Sequence, residues 1–520
     1  MKTFFLNDIY ACAGDFILLL AIVLMTLFST PRSHQSNLFS KYNIMVKYSS
    51  NLSIFWLALV QLVFIYKYYV LSNFNILINE YAFANSILIN SNILKLKIFL
   101  VFLAMIIIQI SKTYFNITKM GYFEYNVLLL SGLLGSLITL SANDLLILYI
   151  SLEVQALSFY IMATLKKSVQ STEAGLKYFI IGSFSSAILL FGISLVILFT
   201  GQHNFNKIKE VLLFINFDTI SNTFFFTFLK TYLIVGVLLI IIALLIKLAV
   251  APFHEWIADI YEGIMTPTAL LFATIPKISI FFILARLTET IFLDLFNIIQ
   301  PILGICCVSS LILGSFNAFQ QKNIKRFLAF SSVNHFGFIL IGLVLGTELS
   351  IKASFLYLSF YILLTFSFWA HLILISYIKF QGSNIQVYHL TKIFEIGNLI
   401  TYNPALTFSM ILLLLSMGGI PPLACFAAKA SIFFVLLDQC QSFVTSFNNV
   451  SSFALNLVLI AGFFSSIISV LYYIRIIKIL FSLNPKYNIP FIFNINKNII
   501  NIFILAIICF FNIFAFLFFI

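Results

Sequence analysis

Long, continuous runs of apolar residues constrain this chain more than any other feature of its sequence. A helix needs about 20 apolar residues to cross the hydrocarbon core of a bilayer. Of the 520 residues, 62% are hydrophobic and 9% are charged, whereas a soluble domain carries about 25% charged residues. These values exclude a globular cytoplasmic protein, a secreted disulfide scaffold and a disordered chain. Because the runs do not alternate like the strands of a barrel, they predict an all-α polytopic membrane protein.

The apolar runs predict about fourteen transmembrane helices joined by short polar connectors. The predicted helices cover residues 15–30, 52–72, 98–112, 123–142, 144–165, 175–200, 229–253, 266–290, 297–319, 324–346, 351–378, 403–439, 451–481 and 498–520. None of the connectors between them is long enough to hold a soluble domain.

Lysine and arginine residues outside the apolar runs predict the orientation of the helices. Loops after odd-numbered helices hold sixteen of these residues, and the opposite side holds nine. Basic residues are enriched on the cytoplasmic or matrix side, so we expect both termini on the other side. In a mitochondrial inner membrane that side is the intermembrane space; the alternative is a bacterial plasma membrane. The net charge of +12 is then a signal of topology, and no nucleic-acid partner is expected.

Four ionisable side chains lie deep inside the apolar runs: Glu153, Lys247, Lys277 and Lys429. A charge at the centre of a membrane helix costs about 2.5–3.5 kcal/mol, so such residues indicate function. A buried lysine can exchange its proton under the influence of a nearby carboxylate, which an arginine cannot do. We therefore predict a polar line that carries protons across the bundle. The alternative is static pairing that stabilises helix packing, but static pairing does not require two additional lysines.

Two of the predicted helices, 7 and 12, are interrupted close to a buried lysine. Pro252 lies five residues after Lys247, and the run GGIPP at 418–422 precedes Lys429. Membranes tolerate broken helices only beside a cavity lined by protein or water. Because the two breaks are five helices apart, we expect two inverted five-helix repeats, helices 4–8 and 9–13. The predicted parts of the chain are an N-terminal three-helix segment (1–120), a first repeat (121–292), a second repeat (293–482) and a C-terminal transmembrane helix (483–520).

Two histidines are candidate members of a proton relay, because histidine titrates near neutral pH. His254 lies beside the first break, and His335 lies in the polar segment FSSVNHFGF. His371 and His389 have no such context, and we expect structural roles for them. The sequence contains no phosphate-binding loop, dinucleotide fingerprint, HExxH motif or CxxC pair. We therefore expect no cofactor and no metal ion bound by this chain.

Five segments of the chain resemble the antiporter-like, proton-pumping subunits of respiratory complex I. The match runs in order from about residue 120 to 480. The segments are SANDLLILYISLEVQALSFYIMA, STEAGLKYFIIGSFSSAILLFGISLV, KLAVAPFHEWIADIYEG, IKRFLAFSSVNHFGF and GGIPPLACFAAK. Within this family, STEAGLKYF is typical of the subunit 2 branch of NADH:ubiquinone oxidoreductase. The lysine at position 429 argues against subunit 4, which has a glutamate at this position.

The resemblance implies a role for each residue of the predicted polar line. Glu153 and Lys247 match the family's ion pair, Lys277 matches its central lysine, and Lys429 matches the lysine of the second broken helix. The two candidate histidines match positions on the hydrated polar axis of the family. The resemblance also implies that other subunits bind NADH and quinone, and that quinone chemistry there drives protons along this axis. The implied partners are lipid and the other membrane-arm subunits.

The sequence departs from the family pattern at a few positions and leaves alternatives open. Ala258 and Met265 stand where the family usually has proline, and Cys425 stands where it usually has glycine. These departures concern loop shape and not the ionisable residues.

The alternatives to a complex I subunit are a subunit of a cation/proton antiporter, a plastid-type relative of complex I, and a membrane scaffold that no longer pumps. A scaffold has no use for four costly buried charges.

Overall fold

The computed structural model describes a mostly helical chain that divides into two compact units. The described residues are 8–33, 39–73, 80–118, 123–214, 224–381, 384–389, 391–397, 399–445, 449–482, 506–507 and 510. The first unit comprises Met1–Leu248 and Ile275–Leu295, and the second comprises Ala249–Thr274 and Phe296–Ile520.

The first unit contains helices α1 to α8, a short hairpin between α2 and α3, and the C-terminal part of helix α10. The elements are α1 (Ala13–Ser33), α2 (Phe39–Asn73), β1 (Glu80–Ala82), β2 (Ile87–Ile89), α3 (Ser91–Thr118), α4 (Glu124–Ser141), α5 (Leu145–Thr164), α6 (Val169–Thr200), α7 (Phe205–Phe214), α8 (Phe224–Leu248), a π-helical turn (Leu287–Ile291) and a 3-10 turn (Leu293–Leu295). The strands β1 and β2 are antiparallel, with Glu80 opposite Ile89.

The second unit contains the short helix α9, the start of α10 and all later elements. They are α9 (Glu255–Gly263), α10 (Thr266–Arg286), α11 (Phe296–Gln320), α12 (Ile324–Leu345), α13 (Glu348–Leu374), β3 (Ser376–Gln381), β4 (Asn384–His389), a 3-10 turn (Ile393–Ile396), α14 (Leu399–Tyr402), α15 (Pro404–Gly418), α16 (Ala424–Thr445) and α17 (Asn449–Phe481). The strands β3 and β4 are antiparallel, with Ser376 opposite His389.

The predicted architecture of an all-α polytopic membrane protein is confirmed. Eleven helices among the described residues are long and apolar enough to cross a membrane, and two shorter apolar helices cover Ala13–Phe28 and Pro404–Gly418. The number fourteen, the inverted repeats and the boundaries at 120, 292 and 482 stay predictions. Most of the predicted C-terminal helix lies outside the described residues.

Three predicted connectors contain short secondary structure that the sequence analysis did not anticipate. The hairpin β1–β2 lies in connector 73–97, helix α7 in 201–228, and much of the hairpin β3–β4 in 379–402. These segments are too short or too polar to span a bilayer. Their backbone N–H and C=O groups are paired within the short helix and within the two hairpins.

A small residue brings helices α4 and α5 close together. A Cβ atom added to Gly135 of α4 would lie 2.7 Å from the Gln155 backbone nitrogen and 2.9 Å from the Ser151 carbonyl oxygen. Such close contacts are typical of helix packing in membranes, where small residues let backbones approach. The contact positions α5, the helix that carries Glu153.

A hydrogen-bond network that includes Arg286 joins three connectors within the first unit. Its guanidinium donates to the Ala142 carbonyl and to Asn143 Oδ1, both at 2.7 Å. The side-chain amides of Asn143 and Asn204 each donate to the Asn85 carbonyl at 2.8 Å. These bonds satisfy the carbonyls of Ala142 and Asn85 in the connectors that follow α4 and α2.

Candidate functional site

Glu153 and Lys247 form an ion pair within the first unit. Lys247 Nζ lies 3.9 Å from Glu153 Oε1, and the two side chains are 10% and 25% exposed. Both atoms are buried, and neither has a hydrogen-bond partner among the described residues. The pair is therefore held by charge without a direct hydrogen bond. Lys247 Nζ and Glu153 Oε1 can therefore each gain a partner without breaking an existing hydrogen bond.

The local sequence explains where Lys247 lies. Helix α8 ends at Leu248, so Lys247 occupies its last turn. A cation at this end of a helix is stabilised by the helix dipole and by carbonyls that lack an intrahelical partner. The predicted interruption of this helix is confirmed, because the next helix, α9, begins only at Glu255.

The segment after this break belongs to the second unit. Ala249 has a left-handed backbone, and the Ala251–Pro252 peptide bond is cis. The carbonyl of Ala251 accepts a hydrogen bond of 2.9 Å from Ser309 Oγ. His254 is 5% exposed, and its Nδ1 lies 3.4 Å from the Pro252 carbonyl oxygen. His254 is thus a buried histidine beside a break, as the sequence predicted.

Arg326 binds the short helix α9 that follows the break. Its guanidinium donates to Glu262 and, at 2.9 Å, to Asp259. Asn323 Nδ2 also donates to Glu262, at 2.6 Å. These contacts attach α9 to the start of α12, and sequence reasoning missed them because Asp259 and Glu262 looked like ordinary loop charges.

Lys277 is buried in α10, with 4% of its surface exposed. It follows Pro276, which lies inside the helix and removes one backbone hydrogen bond there. The predicted deep position of this lysine is therefore confirmed, whereas its role stays a prediction.

Lys429 lies against the second helix break, within the second unit. Its Nζ donates to the Gly418 carbonyl and to Ser469 Oγ, both at 3.0 Å. It also lies 5.0 Å from the centre of the Phe338 ring, which permits a cation–π contact. Helix α15 ends at Gly418, and the break frees this carbonyl from the helix ladder. The break therefore supplies a hydrogen-bond acceptor to a buried lysine.

His335 is surrounded by tyrosines in the same unit. Its Nδ1 lies 2.8 Å from the Tyr357 hydroxyl, and its Nε2 lies 3.0 Å from the Tyr473 hydroxyl. His335 is 1% exposed, and the Tyr361 ring centre lies 5.1 Å from its own. Sequence reasoning identified the histidine but missed these tyrosines, because a tyrosine in an apolar helix carries no signal of its own.

His371 has the hydrogen bonds expected of a structural histidine. Its Nδ1 lies 2.8 Å from the Ser367 carbonyl oxygen, and its Nε2 lies 2.8 Å from Ser409 Oγ. The side chain of His389 lies outside the described residues. Within the described part of the chain, no three His, Cys, Asp or Glu side chains come together in a way that could hold a metal ion.

A second buried ion pair lies in the N-terminal helices of the first unit. Lys97 Nζ donates to Asp15 Oδ2 at 2.7 Å, and the two side chains are 2% and 12% exposed. Lys67 is 5% exposed and donates to the Ala11 carbonyl. The sequence analysis missed this cluster, because these residues lie close to the ends of apolar runs and looked like interfacial charges.

Known proteins are similar to this chain in sequence. Residues 142–455 match the family model described as NADH:quinone oxidoreductase/Mrp antiporter, TM. NADH-quinone oxidoreductase subunit N of Pelagibacter ubique is 34% identical over 376 residues, which are 72% of each chain. NADH-ubiquinone oxidoreductase chain 2 of Marchantia polymorpha is 34% identical over 374 residues, which are 72% of this chain and 70% of that one.

Three solved complexes contain chains of the same fold. A chain of respiratory complex I from Thermus thermophilus has a TM-score of 0.71 at 22% identity, with 97% of this chain and 98% of that chain covered. A chain of an archaeal membrane-bound sulfane sulfur reductase has a TM-score of 0.76 at 17% identity, covering 98% and 95%. A chain of the Mrp complex from Dietzia has a TM-score of 0.66 at 19% identity, covering 92% and 81%.

Proposed function

Because this chain belongs to the NADH:quinone oxidoreductase/Mrp antiporter family, we propose that it moves protons as a membrane subunit of NADH-quinone oxidoreductase. The chain is a multi-pass, antiporter-like membrane protein. Relatives that are 34% identical carry the names subunit N and chain 2 of this oxidoreductase. In this role it assembles with other membrane-arm subunits. Other subunits of the complex bind NADH and quinone and supply the driving reaction.

The fold alone does not separate this function from cation/proton antiport. Chains of complex I, of a sulfur reductase and of an Mrp complex all share it. The sequence relatives favour the oxidoreductase, because they match about seven tenths of the chain at 34% identity.

The ion pair of Glu153 and Lys247 carries the proposal. A buried ammonium is stable while a carboxylate lies close, and it loses that stabilisation when the carboxylate moves away. At 3.9 Å without a direct hydrogen bond, a small change in the position of α5 or α8 alters their attraction. Lys247 can therefore bind a proton in one geometry and release it in another.

Lys277, Lys429, His254 and His335 are the further members of the proposed proton axis. Each is buried, with 5% or less of its surface exposed. Lys429 is held by the carbonyl freed at the second break, and a lysine so placed can hold a proton in an otherwise apolar environment. The chain needs no redox centre for this task, since the driving chemistry takes place in other subunits.

We place the protein in a mitochondrial inner membrane, with both termini on the intermembrane-space side. The excess of basic residues in loops after odd-numbered helices supports this orientation. A bacterial plasma membrane, with the termini on the periplasmic side, is the alternative, since the relatives include both bacterial and mitochondrial-type subunits.

The substitution Lys247→Ala in the native complex tests this function. We expect proton uptake by proteoliposomes during NADH oxidation to fall by about tenfold, equivalent to about 1.4 kcal/mol in the barrier, while the assembled complex stays detectable on native gels. Lys177→Ala is the matched control, because Lys177 is an exposed partner of Glu173 in the same unit and its loss should leave pumping unchanged. Normal pumping by the Lys247→Ala complex would show that the proposed mechanism is wrong.

The subunit composition of the native complex tests the choice between the two functions. We expect the chain to co-purify with other apolar subunits and with a redox arm. Purification as an active protein without a redox arm would favour an antiporter instead.

A further inference from the structure

His335 lies between two tyrosine hydroxyls that come from two other helices. Tyr357 on α13 contacts Nδ1 at 2.8 Å, and Tyr473 on α17 contacts Nε2 at 3.0 Å. The three residues are each 1% exposed or less. Both ring nitrogens of a fully buried imidazole are thus within hydrogen-bond distance of groups that can themselves give and take a proton.

The chemistry of imidazole makes this arrangement suitable for proton transfer. A neutral imidazole donates from one nitrogen and accepts at the other, while a hydroxyl can do both. One tyrosine therefore donates to His335, and the other accepts from it. When the first hydroxyl passes its proton to the ring and the ring passes its other proton to the second hydroxyl, one proton has crossed the ring. The first hydroxyl then takes up the next transported proton and the second releases its extra proton, so that no charge remains on the three residues.

The two tyrosines have different neighbours within the second unit. The ring of Tyr357 is stacked against Phe338 at 5.9 Å, and Lys429 Nζ lies over that same Phe338 ring. The ring of Tyr473 lies 4.5 Å from that of Tyr472, whose hydroxyl accepts a hydrogen bond of 3.2 Å from Asn334. One side of His335 is therefore close to the surroundings of Lys429, and the other side continues into a second buried tyrosine.

We propose that Tyr357 and Tyr473 are relay residues that pass protons through His335 during pumping. This inference rests on the proposed function, and it adds two residues that the sequence did not indicate. It requires only the proton that the subunit transports, with no oxidant, reductant or cofactor. A purely structural role would need the hydroxyls only as hydrogen-bond partners.

The experiment compares phenylalanine and histidine at the two positions in the native complex. Tyr357→Phe and Tyr473→Phe keep the ring and remove the exchangeable proton, so we expect pumping in proteoliposomes to fall by roughly tenfold or more. Tyr357→His keeps a ring that exchanges protons, and we expect pumping near the level of the parent complex. Equal pumping by Tyr357→Phe and the parent complex would overturn the proposal. So would an equal loss in Tyr357→Phe and Tyr357→His, because that pattern indicates packing.

Two further variants complete the design. Tyr125→Phe removes the hydroxyl of a fully buried tyrosine in the first unit, and we expect it to pump normally. Lys247→Ala, measured in parallel, separates the two proposals. If Lys247→Ala loses pumping while Tyr357→Phe and Tyr473→Phe keep it, the relay alone is wrong. If Lys247→Ala pumps normally, the proposed function is wrong.

Where a phenylalanine variant does not assemble, Tyr357→His tests the relay. Pumping by Tyr357→His supports the relay, and an assembled Tyr357→His complex without pumping overturns it.

Discussion

Glu153 Oε1 lies 3.9 Å from Lys247 Nζ, and neither atom has a hydrogen-bond partner among the described residues. An ion pair at this separation keeps most of its electrostatic attraction but has no directional bond to break. Such a pair can change its separation without breaking a directional bond, and the change in attraction suits a group that must bind and release protons in alternation.

The charge of Glu153, and not its capacity for hydrogen bonding, is expected to sustain pumping. Glu153→Gln keeps the size of the side chain and removes the charge, so pumping should fall by about tenfold. Glu153→Asp keeps the charge on a shorter side chain and should give an intermediate rate. Proton uptake per NADH oxidised, measured in proteoliposomes, checks both. If Glu153→Gln pumped like the parent complex, the charge of the pair would be irrelevant.

Gly419 is expected to be required for the position of Lys429. Gly419 has a φ of 84°, and a Cβ there would lie 3.1 Å from Lys429 Cδ. Gly419→Ala should therefore combine a left-handed backbone cost of about 1–2 kcal/mol with displacement of the lysine, and lower the pumping rate. Gly201→Ala is the matched control, because Gly201 has a φ of 64° and nothing within 4 Å of its added Cβ. Equal pumping by the two variants would contradict the prediction.

The contacts of Arg326 are expected to stabilise the complex modestly. Its partners Asp259 and Glu262 are 39% and 36% exposed, and exposed pairs contribute about 1 kcal/mol or less each. Arg326→Gln should lower the temperature of thermal inactivation by a few degrees, whereas Lys352→Ala, which removes an exposed pair with Glu348, should not. An unchanged inactivation temperature in Arg326→Gln would show that these contacts do not stabilise the complex.

The buried pair of Asp15 and Lys97 is expected to be sensitive to the loss of either partner alone. Lys97→Met or Asp15→Asn leaves a buried group without its partner, at a cost of about 3–5 kcal/mol. The double variant removes both charges and should recover most of the stability. The amount of assembled complex, measured on native gels, checks this order. A double variant less abundant than both single variants would contradict it.

Much of the fold and part of the site could be predicted from local sequence. Glu153, Lys247, Lys277 and Lys429 are recognisable because a charge inside a long apolar run is costly wherever the helix packs. The breaks near Pro252 and at 418–422 are recognisable because proline and glycine interrupt a helix ladder by their own geometry. Each of these signals depends on neighbours within about a turn or two of helix.

The sequence by itself determined that this is a polytopic helical membrane protein with four costly charges and two broken helices. Only the tertiary structure decided which groups meet: Tyr473 lies 138 residues from His335, and Asp15 lies 82 residues from Lys97. The physical reason is that hydrophobicity and helix breaking depend on local sequence. Hydrogen bonds and ion pairs instead depend on which faces of distant helices pack together. In nearly continuous apolar helices, the sequence pattern does not specify those faces.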